Sequence, residues 1–347
     1  MSRIIVSASE IRTRMASMLE KAGIPQQDAL IVADTLVEAE VQGRESHGLM
    51  RFPALYSRIS NGKVTKTPDI KIKNLGTNLY AVDGDNALGA VLAERVMEFC
   101  TGEAKKSGLA VAVVNNANHL GAAGYYTNRA ANDGMFAFLA SNAGPAVAPT
   151  GGMTKLLGTS PFAVSFPAGK YGNFLLDIAT SASAMGKIMM YAKEGKSIPL
   201  GWAMDKNGAD TTDAQEAVDA YKSGIGIMPM AAHKGMGMSM IIDVLAGLLS
   251  GAKFSYQVSD MFNTGNVSGV GYFIVVLDIK RFMPLDEFEK RIEEWFDLLK
   301  NDKPRPHSAG VFIPGEIEHE RQKAAGDNLD VFAGTIAEIE KIEGSFK

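Results

Sequence analysis

From Leu79 onward the chain alternates short apolar runs with amphipathic helical stretches, and that alternation restricts it to an α/β architecture. LYAVDG (79–84), LAVAVVN (109–115), MFAFLA (135–140), FAVSFPA (162–168), FLLDIA (174–179) and GYFIVVLDI (271–279) all have strand length. Helical spacing occupies 88–106, 121–133 and 286–299 between or after them. The glycine-bearing run GMGMSMIIDVLAGLLSG (235–251) reads as a buried or interfacial helix.

Upstream of this core the chain reads as helices joined by turns. Ser7 and Glu10 form a capping box for a helix carrying Ile11, Met15, Met18 and Leu19, which KAGIP ends. A second helix over 26–42 places Leu30, Ala33, Val37 and Val41 on one face, with Gly43 as its stop. The stretch 44–62 turns at Ser46 to Gly48 and enters a short helix carrying Met50, Leu55 and Ile59, with Pro53 in its first turn. The C-terminal part predicts a charged helix near 315–325 and a peripheral acidic one over 334–344. Residues 207–232 are polar and turn-rich, which predicts an exposed excursion outside the core. The expected organisation is a helical segment over 1–75, an α/β domain over 76–310, and a helical segment over 311–347 that completes the fold.

Composition narrows the function. With 347 residues, 35 Lys plus Arg against 39 Asp plus Glu and a net charge of -4, the chain carries no nucleic-acid footprint and no basic membrane patch. No uninterrupted apolar stretch approaches membrane-spanning length, and the first residues lack a signal-peptide pattern, so a soluble cytoplasmic protein is expected. The single Cys100 lies in a helix-like run and is expected to pack as a small hydrophobe. The five histidines are scattered and HExxH is absent, so no metal site is expected. GxGxxG, GxxxxGK[ST] and GxSxG are absent, which disfavours a standard Rossmann domain, a P-loop ATPase and a serine esterase.

Three places carry candidate chemistry. His119 lies between a strand and a helix, with Gly121 and Gly124 beside it, where α/β proteins commonly bind ligands. Asp177, Thr180 and Ser181 end a hydrophobic strand, and a carboxylate there can orient and charge-stabilise a histidine or simply cap a turn. Ser46, His47 and Arg51 lie near a helix start; by themselves they read equally as a cap, a packed ring and a solvated cation.

In order along almost the whole chain, ESHGLMRFP, NNANHLGAAGYY, LLGTSPF, LLDIATSASAMGK, HKGMGMSMIIDVLAGLLSGA and the late IPGE resemble the type 2 malate/L-lactate dehydrogenase family. The resemblance implies an α/β, non-Rossmann NAD(P)-binding fold and an active site near a homodimer interface. It implies an oxidoreductase that interconverts a small 2-hydroxy acid and its 2-oxo acid, of malate/oxaloacetate or lactate/pyruvate type. Relatives that act on sulfolactate, ureidoglycolate, diketogulonate or cyclic imino acids supply the alternatives, and a noncatalytic metabolite-binding homologue is the non-enzyme reading. The small carboxylate substrate and a second copy of the chain are the expected partners.

Carried onto matching residues, the resemblance places Ser46, His47 and Arg51 in the catalytic and substrate pocket, and His119 beside the nicotinamide. Gly158, Thr159 and Ser160, then Asp177, Thr180 and Ser181, match segments that contact cofactor or complete the site. Lys234 and Gly235 match a later signature without individual contacts, while Gly121 offers close backbone approach to the cofactor. His47 is the expected general base, Asp177 its orienting partner, Ser46 a donor to a substrate oxygen and Arg51 the carboxylate clamp. His119 is the second acid/base candidate and otherwise a positioning donor. The cofactor is NAD or NADP, with NAD marginally preferred because no local cluster demands the extra phosphate and linear order does not place Lys187, Lys193, Lys196 or Arg129 beside one. One departure stands out. Many relatives place an aromatic residue four positions beyond the arginine, where this chain has Leu55; Tyr56 follows about 100° around the helix.

Overall fold

A computed structural model of the chain describes residues 2–263 and 265–346. Its helices are α1 (Ala8–Lys21), α2 (Gln26–Val41), α3 (Phe52–Ser60), α4 (Gly89–Ser107), α5 (Ala123–Asn132), α6 (Met185–Lys193), α7 (Ala214–Lys222), α8 (His233–Ile242), α9 (Leu285–Lys300), α10 (Glu316–Ala325) and α11 (Ala333–Gly344). Its strands are β1 (Arg3–Ser7), β2 (Lys71–Gly76), β3 (Leu79–Asp83), β4 (Leu109–Ala117), β5 (Met135–Ser141), β6 (Pro145–Val147), β7 (Leu157–Gly158), β8 (Phe162–Pro167), β9 (Asn173–Ile178), β10 (Ala203–Met204), β11 (Asp210–Thr211), β12 (Val270–Asp278) and β13 (Asn328–Phe332).

Seven of the strands form one mixed sheet in the order β2-β3-β4-β12-β5-β8-β9. Only β3 and β4 pair in parallel; the other neighbours are antiparallel. The apolar run expected at 271–279 is β12, at the centre of the sheet between β4 and β5. Its alternate residues Tyr272, Ile274 and Val276 are fully buried with Ala110, Ala112 and Val114 against α4 and α5. β2 is exposed along its whole length, and its lysines suit a sheet edge. Cys100 is buried in the α4 layer, and burial pushes its thiol up to about 12, which keeps it an inert packing group.

A second core joins the two ends of the chain. Ile11, Met15 and Leu19 of α1 pack with Val32, Leu36 and Val37 of α2 and with Leu329, Val331, Ile336 and Ile339 from the C-terminal elements. β1 and β13 pair antiparallel from Arg3 opposite Phe332 to Ser7 opposite Asn328. Ser7 caps α1 as expected, its Oγ accepting from the Glu10 N–H at 3.1 Å, and the same hydroxyl donates to Asp327 at 2.6 Å.

Two expectations change. Leu30 is 47% exposed, because α2 packs through Ala29, Val32, Leu36 and the expected Ala33 and Val37, with Val41 partly buried against the same core. The polar stretch within 207–232 is not a simple exposed excursion. Asp213 caps α7, whose Ala214, Ala217 and Val218 pack with Val147, Ile188, Ile198 and Ile227 in a third, smaller core. A few small apolar residues on one helical face were enough, once α6 supplied the opposing surface.

Candidate active site

The Ser46–His47 turn is held from behind. Two short 3₁₀ turns, Glu45–His47 and Leu49–Arg51, lead from α2 into α3, where Pro53 sits in the first turn. Glu40 on α2 reaches across and accepts a hydrogen bond from the Leu49 N–H at 3.0 Å. A Cβ on Gly48 would stand 2.1 Å from that carboxylate oxygen, so the close approach requires glycine. Burial raises the Glu40 carboxyl to about 7, opposed by the Leu49 hydrogen bond.

His47 and His119 meet from opposite sides. His119 lies two residues beyond the end of β4 and just before α5, and its ring stacks on His47 with centroids 5.7 Å apart and planes at 19°. The Gly121 N–H donates to His119 Nδ1 at 3.2 Å, so Nδ1 is an acceptor and the neutral ring carries its proton on Nε2. His47 Nδ1 lies 2.9 Å from Ser46 Oγ. Burial, with Arg51 and Arg44 adding repulsion, lowers His47 to about 4. Burial, then Arg51, His47 and Arg58, lowers His119 well below its ordinary value. Both rings are therefore neutral at neutral pH: His47 able to accept a proton, His119 able to donate a hydrogen bond.

Arg51 sits beside the pair. Its Nε donates to the Ser46 carbonyl at 2.5 Å, Nη1 lies 3.3 Å from Met261 Sδ, and the guanidinium stacks 4.9 Å from the Phe262 ring centre. Those contacts leave Nη2 free among the described residues. Arg51, Leu55, Arg58, Asn118, His119 and Gly121 share the lining of one cavity with apolar residues of α2 and α4.

Asp177 is not the orienting partner of His47 expected above. Its Oδ2 accepts from Arg44 Nη1 at 2.5 Å and from the Gly124 N–H at 2.9 Å. The physical reason is charge: burial drives the carboxyl pKa up, and the guanidinium and the amide at the start of α5 offset that cost better than a neutral imidazole would.

The remaining candidates gather beyond β9. Thr180 donates through both its N–H and its Oγ1 to the Thr159 carbonyl, at 2.9 Å each, while Ser181 Oγ donates to Ser183 O at 2.8 Å. Ser239 Oγ donates to Ser160 Oγ at 3.1 Å and to Gly158 O at 3.3 Å. Met230 N–H donates to Thr180 O, and Gly235 N–H returns to Met230 O, both at 2.8 Å. A Cβ on Gly235 would lie 2.3 Å from Met230 O and 2.6 Å from Thr180 O. Thus Gly158, Thr159, Ser160, Thr180, Ser181 and Gly235 come together, with the hydroxyls of Thr180 and Ser181 spent on the backbone. Lys234 is exposed at the start of α8, a helix end with no side-chain cap. Among the described residues no group of His, Cys, Asp or Glu is arranged to hold a metal ion, and no helix is long and apolar enough to cross a membrane.

Sequence reasoning missed Arg44, Arg58, Asn118, Met261 and Phe262. Arg44 stood immediately before the ESHG segment, and Arg58 falls at i+7 from Arg51, the residue that caps α3, so helical spacing held a signal for the latter. Met261 and Phe262 arrive from a loop some 200 positions away, which no local pattern announces.

The malate/L-lactate dehydrogenase family model matches residues 6–339. A malate dehydrogenase of Pyrococcus horikoshii is 39% identical over 303 residues, covering 86% of this chain and 83% of the relative. An L-sulfolactate dehydrogenase of Methanocaldococcus jannaschii is 34% identical over 339 residues, covering 98% and 96%. The solved structure of a sulfolactate dehydrogenase from that organism superposes with a TM-score of 0.92 at 33% identity, covering 99% of this chain and 97% of the other. The chain belongs to the malate/L-lactate dehydrogenase family and is an enzyme of the dehydrogenase class.

Proposed function

We propose that this dehydrogenase interconverts a small 2-hydroxy acid and its 2-oxo acid with NAD(P), within a non-Rossmann nucleotide-binding fold. The observation that carries the reading is the stacked, neutral His47–His119 pair beside Arg51. A bound nicotinamide supplies the hydride acceptor in alcohol oxidation. His47 takes the hydroxyl proton on the ring nitrogen that faces away from Ser46, and Ser46 Oγ holds the other nitrogen in place. Arg51, already fixed through Nε, clamps the substrate carboxylate through its remaining donors. His119, with its proton on Nε2, donates to a substrate or nicotinamide oxygen.

The residues fit the cofactor. A Cβ direction at Gly121 meets nothing within 4 Å, leaving room beside His119, and the exposed Lys234 at the start of α8 offers a cation suited to a phosphate. The clustered 158–160, 180–181 and 230–235 segments would hold the dinucleotide. NAD is the preferred form, since two of the four candidate cations are engaged by carboxylates: Lys196 with Glu194 at 2.7 Å and Arg129 with Glu94 at 2.9 Å.

The active form is a homodimer. Met240, Ile241, Val244 and Leu248 project from α8 and the π-helical turn that follows it, each about half exposed, over a sheet face that leaves Phe138, Phe273 and Val275 only partly covered. An apolar face of that extent is what an obligate interface buries. Reduced-nicotinamide oxidation is to be followed with oxaloacetate, pyruvate, sulfopyruvate and a cyclic imino acid, using NADH and NADPH side by side. Turnover of a 2-oxo acid with NADH at a sedimentation mass of about twice 37.0 kDa is expected. Turnover of the imino acid alone overturns the substrate class, and an NADPH preference overturns the cofactor choice.

A further inference from the structure

Arg58 of α3 is 2% exposed, yet its hydrogen bonds go to neutral partners. Nη1 donates to Asn263 O at 2.8 Å, and Nη2 donates to Asn118 Oδ1 at 3.1 Å and to Asn266 O at 3.2 Å. Asp260 acts on it only from farther off, because that residue serves its own loop. Its Oδ1 accepts from the Phe262 N–H at 2.8 Å and its carbonyl from the Asn263 N–H at 3.0 Å. A buried cation bonded to carbonyls in place of a carboxylate is costly, so what those carbonyls belong to matters.

Asn263 and Asn266 lie in the loop that is closed where the Ser259 N–H donates to Ser268 O at 3.0 Å, and that loop also carries Met261 and Phe262. Met261 lines the cavity with Arg51 and His119, and its Sδ accepts from Arg51 Nη1 at 3.3 Å. The Phe262 ring centre lies 4.9 Å from the Arg51 guanidinium carbon, while the side chain is 60% exposed and belongs to no core. Arg51 Nε is bonded to Ser46 O at 2.5 Å. A planar cation held by a backbone carbonyl, a thioether and an aromatic face keeps one orientation, and Nη2 is the donor which that orientation leaves for a carboxylate. On its other side Arg58 is tied to Asn118, the residue before His119, whose Nδ2 donates to Ala87 O at 2.8 Å. One buried guanidinium thus joins the loop against Arg51 to the turn that carries His119.

We propose that Phe262 and Arg58 are positioning residues for the Arg51 clamp. Phe262 fixes the guanidinium plane directly, and Arg58 acts through it by holding the loop that presents Phe262 and Met261. This rests on the reading above, in which Arg51 binds the substrate carboxylate, and adds what makes that clamp rigid: a loop some 200 positions along the chain. The C1 carboxylate is common to every 2-oxo acid, so the effect falls on all of them alike, and on binding more than on the chemical step.

The test measures KM and kcat for oxaloacetate and pyruvate with NADH in the unaltered enzyme, F262A, F262Y, R58K and R58M, and in F262A combined with R51K. Thermal unfolding and sedimentation are recorded for each. F262A should raise KM about 10-fold on both substrates and leave kcat within about 2-fold, with the unfolding midpoint and the sedimentation mass unchanged because the side chain is largely exposed. F262Y keeps the aromatic face and should restore KM. In R51K the planar cation is gone, so adding F262A should cost less than about 2-fold. R58M should raise KM as F262A does, with R58K between it and the unaltered enzyme. An unchanged KM in F262A, or an equal rise in the R51K background, would overturn the role of Phe262. A lower midpoint in R58M and R58K with KM unaltered would reduce Arg58 to a structural anchor and overturn its part. A smaller sedimentation mass in F262A would make the ring an interface residue and overturn the proposal while leaving the dehydrogenase reading intact, whereas no turnover of any 2-oxo acid by the unaltered enzyme would overturn both.

Discussion

Asp177 Oδ2 receives Arg44 Nη1 at 2.5 Å and the Gly124 N–H at 2.9 Å, so one buried carboxylate ties the His47 turn, the start of α5 and the end of β9 together. Glu318 of α10 adds a longer contact to Arg44 at 3.6 Å. Replacing the carboxylate by its isostere in D177N leaves Arg44 without its main counter-charge. The variant should lose about 3 kcal/mol of stability, read as a lower urea midpoint. A midpoint unchanged from the native protein would show that the pair contributes nothing.

With His47 as the proposed base, its titration sets the acid limb of the oxidation reaction. Because burial and the two arginines hold it near about 4, kcat/KM for hydroxy-acid oxidation should stay level from neutrality to about pH 5 and fall toward pH 4. R51Q removes one repelling charge, so His47 rises and the limb moves to higher pH, though only in part because burial is the larger cause. The same group makes stability pH-dependent. Its folded value lies below the unfolded 6.5, so the contribution is complete above 6.5 and is lost as pH falls from there toward 4, by roughly 3 kcal/mol. An acid limb that stays in place in R51Q would separate His47 from the titrating step.

Gly48 and Glu40 should behave as a coupled pair. G48A drives a Cβ against the Glu40 carboxylate and should cost about 2 kcal/mol with a marked loss of kcat, since the His47 turn must shift. E40A removes the Leu49 cap and costs about 1 kcal/mol. In the double variant the clash is gone, so the combined cost should fall below the sum of the two. Strict additivity in equilibrium unfolding would mean that the two residues do not meet.

Gly235 faces backbone rather than a flexible side chain, so G235A cannot be absorbed by a rotamer change. Displacement of Met230 or Thr180 opens the turn that joins the 180 and 230 segments. NADH affinity, measured by fluorescence titration, should weaken at least about 10-fold while the His47 pH limb stays in place. Unaltered NADH binding would remove this cluster from the cofactor site.

Much of the fold was legible locally. The runs at 109–115, 135–140, 162–168 and 271–279 became β4, β5, β8 and β12, because side chains buried on both faces or on one leave an apolar signature that needs no distant partner to be read. The Ser46, His47, Arg51 and His119 motifs were equally visible, and the stacking of the two rings follows from bringing the end of β4 beside the turn between α2 and α3. Long-range pairing was not legible. RIIVS and NLDVF are short and partly polar, and become β1 and β13 only by pairing across some 320 positions of chain, a contact whose cost and gain both depend on the rest of the fold. Electrostatic partnership was hidden for the same reason. By sequence order Asp177 could have oriented a histidine or capped a turn; the tertiary structure placed Arg44 against it, and a buried carboxylate takes the nearest positive charge over a neutral ring.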